Sequence, residues 1–194
     1  MSKRALVLIA VGIVFIAVGM VVFVVASTSQ SDAPTALELT RSFDESPTGF
    51  SFRYPDDWRY TIPMRGLLIS GLPETLNNEE AGPTFTIQRT QPLSTYPTLQ
   101  EAMDLYLRRG ALSTERQWTQ TSDITPITFL GREALTVDLQ GRDNEASPQQ
   151  NSRIIVTTSE NTFVYVMVVT APVTVWERFL PTLQAILESV EILE

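Results

Sequence analysis

The chain has 194 residues, and it contains neither Cys nor His. These absences exclude disulfides, thiol or imidazole catalysis and Cys/His zinc sites. The net charge of −8 argues against a nucleic-acid-binding protein, because phosphate contacts require a basic surface.

An uncharged apolar segment occupies residues 5–26. As a helix it would be about 33 Å long, which matches a bilayer core of about 30 Å. Lys3 and Arg4 precede it, so the positive-inside rule places residues 1–4 in the cytoplasm. We expect a single-pass protein of the cytoplasmic membrane, with a signal-anchor in the lipid bilayer and the rest of the chain outside. The alternative is a signal peptide cleaved after Ala26, although signal peptides usually have a shorter apolar region.

Small residues recur at intervals of seven along this segment, at Ala5, Gly12, Gly19 and Ala26. On a helix they would share one face and permit a homodimer. The plainer explanation is that Gly and Ala are common in membrane helices.

Residues 27–36 are small and polar and indicate a flexible tether. Residues 37–194 then form one acidic extracytoplasmic domain. After the apolar segment the chain carries 12 arginines and all 22 acidic residues, a net charge of −10.

In chain order, the first half of this domain predicts mainly strands. A hairpin joins Leu37–Phe43 to Phe50–Tyr54, and short strands follow at 59–62 and 67–70. An acidic loop at 71–83 separates them from another strand at 84–90.

The second half predicts two helices among further strands. One helix covers Leu99–Arg109, with a capping box formed by Thr98 and Glu101. Strands follow at 127–130, 134–140, 153–159 and 162–170. The second helix begins with a capping box at Thr174 and Glu177, kinks or restarts at Pro181, and precedes an edge strand at 190–193. The fold class is therefore α+β, with a central antiparallel sheet flanked by helices in an α/β/α sandwich.

The segment GFSFRYPDDW at residues 49–58 carries a family resemblance. A strand ending in Tyr-Pro, followed by two residues and Trp, resembles the opening motif of PsbP-like domains, named for the extrinsic oxygen-evolving protein of photosystem II. The order of the later elements is similar as well, over most of residues 37–193.

This resemblance implies a central antiparallel sheet between helices. It also implies a role in binding or assembly, because members of the family include photosystem accessory subunits, a Ran-binding import factor and bacterial envelope proteins. Some photosystem members bind metal through His, and this chain has none.

Two groups of acidic residues offer the oxygen ligands that Ca²⁺ prefers. Glu74, Glu79 and Glu80 lie in the first, and Asp143 and Glu145 lie in the second together with Asn144. Neither group has EF-hand spacing, so solvated loops are the simpler interpretation.

Three other features have a structural and a functional interpretation. Trp118, in a polar stretch, is a candidate anchor for a partner. Arg108 and Arg109 at a helix C-terminus complement the helix dipole, which we favour over anion binding. The adjacent carboxylates at 56 and 57 suit a turn better than an acid/base pair.

The sequence thus predicts a non-catalytic binding or assembly module without a cofactor, whose partner is another envelope or membrane protein. Two alternatives stay open. One is a carboxylate-dependent hydrolase of envelope polymers, which requires two facing carboxylates in a cleft. The other is a Ca²⁺-responsive binding domain.

Overall fold

A computed structural model describes residues 34–44, 48–77, 82–92, 98–110, 112–113, 116–159 and 163–193. Its helices are α1 (Pro73–Leu76), α2 (Leu99–Arg109) and α3 (Trp176–Glu188). Its strands are β1 (Arg41–Asp44), β2 (Phe50–Tyr54), β3 (Arg59–Met64), β4 (Leu67–Gly71), β5 (Thr84–Pro92), β6 (Gln117–Gln120), β7 (Thr125–Phe129), β8 (Arg132–Arg142), β9 (Gln150–Thr158), β10 (Phe163–Pro172) and β11 (Glu191–Ile192).

Eight of these strands form an antiparallel sheet, and seven of them follow the order β3-β4-β5-β10-β9-β8-β6. The eighth strand, β7, pairs with the first half of β8, while β6 pairs with its second half. Strands β1, β2 and β11 form a separate small sheet. The antiparallel α+β class is confirmed.

The central strand β10 divides the core into two parts, because successive side chains of a strand point to opposite faces. Val164 and Val166 belong to the cluster beneath α2. Tyr165, Met167 and Val169 belong to the larger cluster on the other face. Both sets are almost fully buried, as expected for a strand that is covered on both sides.

Helix α2 covers the first face. Ala102, Met103 and Leu107 are its buried side chains, and they pack on β8, β9 and β10. The Thr98 side chain accepts a hydrogen bond from the Glu101 backbone N–H at 3.2 Å, so the predicted N-terminal cap is confirmed.

The small sheet and α3 together cover the second face. The predicted α/β/α sandwich therefore describes the first face, which a helix covers. On the second face, aromatic side chains of β1 and β2 pack on the large sheet beside α3. The Tyr165 hydroxyl donates to the Gly49 carbonyl at 3.1 Å, and the Leu193 N–H donates to the same carbonyl at 3.0 Å. The first bond connects the start of β2 to the central strand β10, and the second holds the residue after β11 beside the same point of the small sheet.

The Tyr-Pro-x-x-Trp motif lies inside this second layer. Tyr54 and Trp58 are buried, and the backbone N–H of Trp58 donates to the Pro55 carbonyl at 3.2 Å. The turn carries the carboxylates of Asp56 and Asp57 on the exposed side. The motif is therefore a packing signature of the fold.

The predicted start of the second helix is wrong. The Val175 N–H bonds to the Pro172 carbonyl at 3.0 Å, and this turn makes Val175 the N-cap, without any side-chain cap from Thr174. Of the two outcomes predicted at Pro181, a restart of the helix does not occur, since α3 continues through this residue. Burial of the helix's apolar face compensates for the missing N–H.

Other boundaries differ from the prediction for local reasons. Strand β1 begins at Arg41, later than Leu37, because only residues 41–44 pair with β2. The predicted acidic loop contains the short helix α1, where Pro73 occupies the first helical position. The sequence does not predict strand β6, which forms by pairing with the second half of the long strand β8. The closing edge strand is confirmed by the pairing of β11 with β2.

The predicted membrane segment, with Lys3, Arg4 and the small residues Ala5, Gly12, Gly19 and Ala26, lies outside the described residues. Among the residues that are described, no helix has the length and apolar composition of a membrane span.

The two helix starts yield a paired test. Thr98→Ala should lower the free energy of unfolding by about 1 kcal/mol, because the cap hydrogen bond is lost. Thr174→Ala should leave it nearly unchanged, since α3 has no side-chain cap. Urea denaturation of both variants measures the difference, and equal losses would contradict these helix starts.

Candidate functional site

The edge strand β3 exposes three large apolar side chains, which we call the apolar edge: Tyr60, Ile62 and Met64. Their exposed fractions are 39%, 38% and 59%. All six residues of β3 are exposed, whereas most of neighbouring β4 is buried or half-buried. Large apolar side chains exposed together on one edge strand indicate a candidate interaction site.

Aromatic contacts fix one end of the apolar edge to the core. The Tyr60 ring lies edge-on against Phe43, with centroids 5.1 Å apart, and against Tyr54, with centroids 6.1 Å apart. Phe43 and Tyr54 are themselves buried. The exposed side chain of Tyr60 is therefore held by rigid neighbours, which lowers the entropy lost on binding.

A bulge makes the apolar edge accessible from both faces of the sheet. The β3–β4 register shifts between Thr61 and Met64. Tyr60 pairs with Ser70, and Met64 pairs with Leu67, three positions away and thus on the opposite face. Pro63 removes one backbone donor from the same stretch. Bulges and Pro protect edge strands against indiscriminate pairing, so backbone pairing is limited to part of β3.

The sequence contained one signal for this site. Residues 59–62 were predicted as a strand, and their alternation gave Tyr60 and Ile62 one face. That β3 stands at the edge depends on the order of strands in the sheet, which local pattern does not specify.

The second acidic group is organised by hydrogen bonds within the protein. The Asp143 carboxylate accepts from Trp118 Nε1 at 2.9 Å and lies 3.6 Å from Arg116 Nη1. Asn144 Oδ1 accepts from the Ala146 and Ser147 N–H groups at 2.9 and 3.1 Å. This is the bonding of an Asx turn.

The other candidate ligands are dispersed or not described. Glu145 is exposed in the same turn. Glu74 lies in the first turn of α1, while Glu79 and Glu80 fall outside the described residues. In the part of the chain that the structure covers, no three acidic side chains come together in a way that could hold a metal ion.

Trp118 has a structural function in addition to its predicted role as a partner anchor. It lies on β6 directly opposite Gly141 of β8, and it packs against the cluster beneath α2. A Cβ at position 141 would lie 2.9 Å from the indole Cγ and still closer to the Trp118 backbone. Glycine at 141 therefore allows β6 to approach β8 closely, with the indole of Trp118 next to the Gly141 backbone.

A cleft of about 620 Å³ lies between β7–β9 and the end of α3, and its described lining residues include two carboxylates, on Asp138 and Glu188. Both oxygens of Asp138 are bonded to Arg153, at 2.8 and 3.0 Å. This hydrogen bonding raises the pKa of Arg153, more than burial lowers it. Asp138 is thus committed to an ion pair, which leaves Glu188 as the other carboxylate of the cleft.

The fold defined by these layers is similar to that of a solved PsbP structure. The chain is similar to the cyanobacterial PsbP of Synechocystis sp. PCC 6803, with 14% identity over 84% of this chain and 98% of that one, at a TM-score of 0.57. It is similar to LpqN of Mycobacterium tuberculosis, with 16% identity over 75% of this chain and 83% of that one, at a TM-score of 0.50.

A third similar structure is a protein of Bacteroides thetaiotaomicron VPI-5482, with 12% identity over 81% of this chain and a TM-score of 0.53. The chain spans half the length of that protein. No protein-family model matches the sequence, and no curated protein matches it. These identities are low, so the likeness establishes the fold.

We predict that Trp118→Ala lowers the free energy of unfolding by about 2 kcal/mol, because it removes apolar contacts from a half-buried site. Trp118→Phe should cost less than about 1 kcal/mol, since it keeps most contacts and loses one hydrogen bond. Urea denaturation measures both values. Unchanged stability in Trp118→Ala would contradict the structural function of this side chain.

Proposed function

We propose that this chain is a membrane-anchored, non-catalytic binding or assembly module whose domain lies outside the cytoplasmic membrane. The apolar edge is its contact surface for another envelope or membrane protein. The single observation that carries this proposal is the exposure of Tyr60, Ile62 and Met64 on one edge strand.

The chemistry of the apolar edge favours a protein partner. Its side chains are apolar or aromatic, the types enriched at interface cores. Tyr60 is held against the aromatic core, so one anchor of the interface is preorganised. The bulge and Pro63 limit backbone pairing to part of β3, which favours recognition by side chains.

The similar structures support a role of this general kind. The cyanobacterial neighbour is a PsbP protein, and the mycobacterial neighbour is described as involved in cell envelope biogenesis. The absence of Cys, His and any Lys beyond Lys3 removes the commonest nucleophiles and bases.

The two alternatives have weaker support. A carboxylate-dependent hydrolase requires two available carboxylates in one cleft, whereas Asp138 is paired with Arg153. A Ca²⁺-responsive domain requires several oxygen ligands at one place, whereas the Asp143 carboxylate already binds Trp118 and Arg116.

Site-specific photocrosslinking tests the apolar edge. A benzophenone amino acid replaces Ile62 in the full chain, and intact cells are irradiated before mass spectrometry. We expect one reproducible adduct with an envelope or membrane protein. The matched control places the same amino acid at Gln120, an exposed residue of the edge strand β6, which should not give that adduct.

A second variant shows whether the apolar side chains are responsible. With the crosslinker at Thr61, Met64→Asp should reduce the adduct about tenfold, since a charge at an interface core costs more than 1 kcal/mol. Its unfolding midpoint should match that of the parent chain. Absence of any reproducible adduct, or the same adduct from position 120, would refute the contact surface.

Cysteine labelling tests the location of the domain, because the natural chain has no Cys. In intact bacterial cells expressing the chain, a membrane-impermeant maleimide should label Gln120→Cys. It should label Ser2→Cys only after the membrane is permeabilised, because the N-terminus is predicted to be cytoplasmic. The reverse pattern would contradict the proposed topology.

A further inference from the structure

A second cleft, of about 470 Å³, lies on the face of the sheet that α2 covers. It is separate from the cleft that contains Asp138 and Glu188. We call it the arginine cleft. Arg65, from the β3–β4 turn, and Arg109, from the end of α2, both line it. Its volume lies within the range of small-molecule sites.

The charge of the arginine cleft is opposite to that of the domain. The chain after the apolar segment carries 22 acidic residues and 12 arginines. None of the described residues lining this cleft is acidic, and both Arg65 and Arg109 are exposed. Among the described residues, neither of these two side chains forms an ion pair. Unpaired guanidinium groups are preferred partners of carboxylates and phosphates.

The rest of the lining combines apolar contacts with a hydrogen-bond donor. Val164, Val166 and Ala102 supply buried apolar surface. Burial raises the pKa of the Tyr106 hydroxyl above its ordinary value of 10.0, and the nearby positive charge of Arg116 only partly offsets this effect. Tyr106 therefore stays neutral at physiological pH, and its O–H can donate to an anion.

The geometry points to the arginine cleft as a binding site for a small anionic ligand, one carboxylate or phosphate group attached to an apolar body. Arg65 and Arg109 bind the anionic group, and the valines beneath α2 contact the apolar body. This site is separate from the proposed protein contact and does not depend on it.

The helix dipole of α2 accounts for Arg109 at its C-terminus but does not account for Arg65 in the same cleft. Arg108 and Arg109 both complement the C-terminus of α2. Arg108 Nε also donates to the Asp104 carbonyl at 3.3 Å, so its guanidinium is used by the helix. Arg65 comes from a different element, and a dipole effect of α2 gives no reason for its position in the cleft.

Fluorine NMR tests the site on the full chain held in zwitterionic phosphatidylcholine nanodiscs, with empty nanodiscs as the blank. The probes are 6-fluorohexanoate, 6-fluorohexyl phosphate and the neutral 6-fluorohexanol. We expect saturable binding of at least one anionic probe and much weaker binding of the alcohol. The anionic probe that binds more tightly identifies the head group as carboxylate or phosphate.

Matched variants assign the binding to the cleft. Arg65→Ala and Arg109→Ala should each weaken the preferred anion about tenfold, the loss of one charge-assisted hydrogen bond. Arg108→Ala changes the net charge equally but should leave binding within about twofold, because Arg108 does not line the cleft. Ile62→Asp should bind the probe like the natural chain, which keeps this test independent of the protein contact.

Three results would overturn the inference. The first is equal binding of 6-fluorohexanol and the anionic probes. The second is an equal loss of affinity in Arg108→Ala and Arg109→Ala, which would indicate a general charge effect. The third is no saturable binding beyond empty nanodiscs while circular dichroism shows a folded protein.

Discussion

The double-sided burial of β10 is the constraint on which the rest of the structure depends. Its neighbours β5 and β9 pair along nearly its whole length, so the strand is fixed in register from both sides. Alternate side chains then require cover on both faces of the sheet. Helix α2 supplies one cover, and α3 with the small sheet supplies the other.

The edges of the sheet follow from this arrangement. The helices and the small sheet cover β10 and its neighbours. Strand β3 lies at the far end of the strand order and extends beyond these covering elements. The apolar edge is exposed for that reason, while Tyr60 still reaches the aromatic core through Phe43. The arginine cleft forms on the other face, where the C-terminus of α2 approaches the turn after β3. The two proposed contacts are thus consequences of how the layers end.

Features set by local chemistry could be predicted from the sequence. Helix α2 has its cap and its apolar face within about a dozen residues. The continuous apolar composition of β10 is enough to predict that it is buried on both faces. The predicted cap of α3 is wrong because Thr174 lies within the turn that the Val175 N–H closes on the Pro172 carbonyl, so the helix begins one residue later. Strand β6 was missed because Trp118 is its one apolar residue, and only its pairing with β8 makes it a strand. The exposure of β3 and the presence of Arg65 and Arg109 in one cleft depend on the tertiary arrangement, which the local sequence pattern does not encode.

Hydrogen exchange of the folded chain, followed residue by residue at increasing denaturant, tests the central role of β10 most directly. If this strand holds both layers together, the amides of residues 164–169 exchange only through global unfolding, with the slowest rates in the protein. The amides of β3 should exchange through local opening at far lower free energy. Equal protection of β3 and β10, or exchange of β10 by local opening before α2 and α3, would contradict this account.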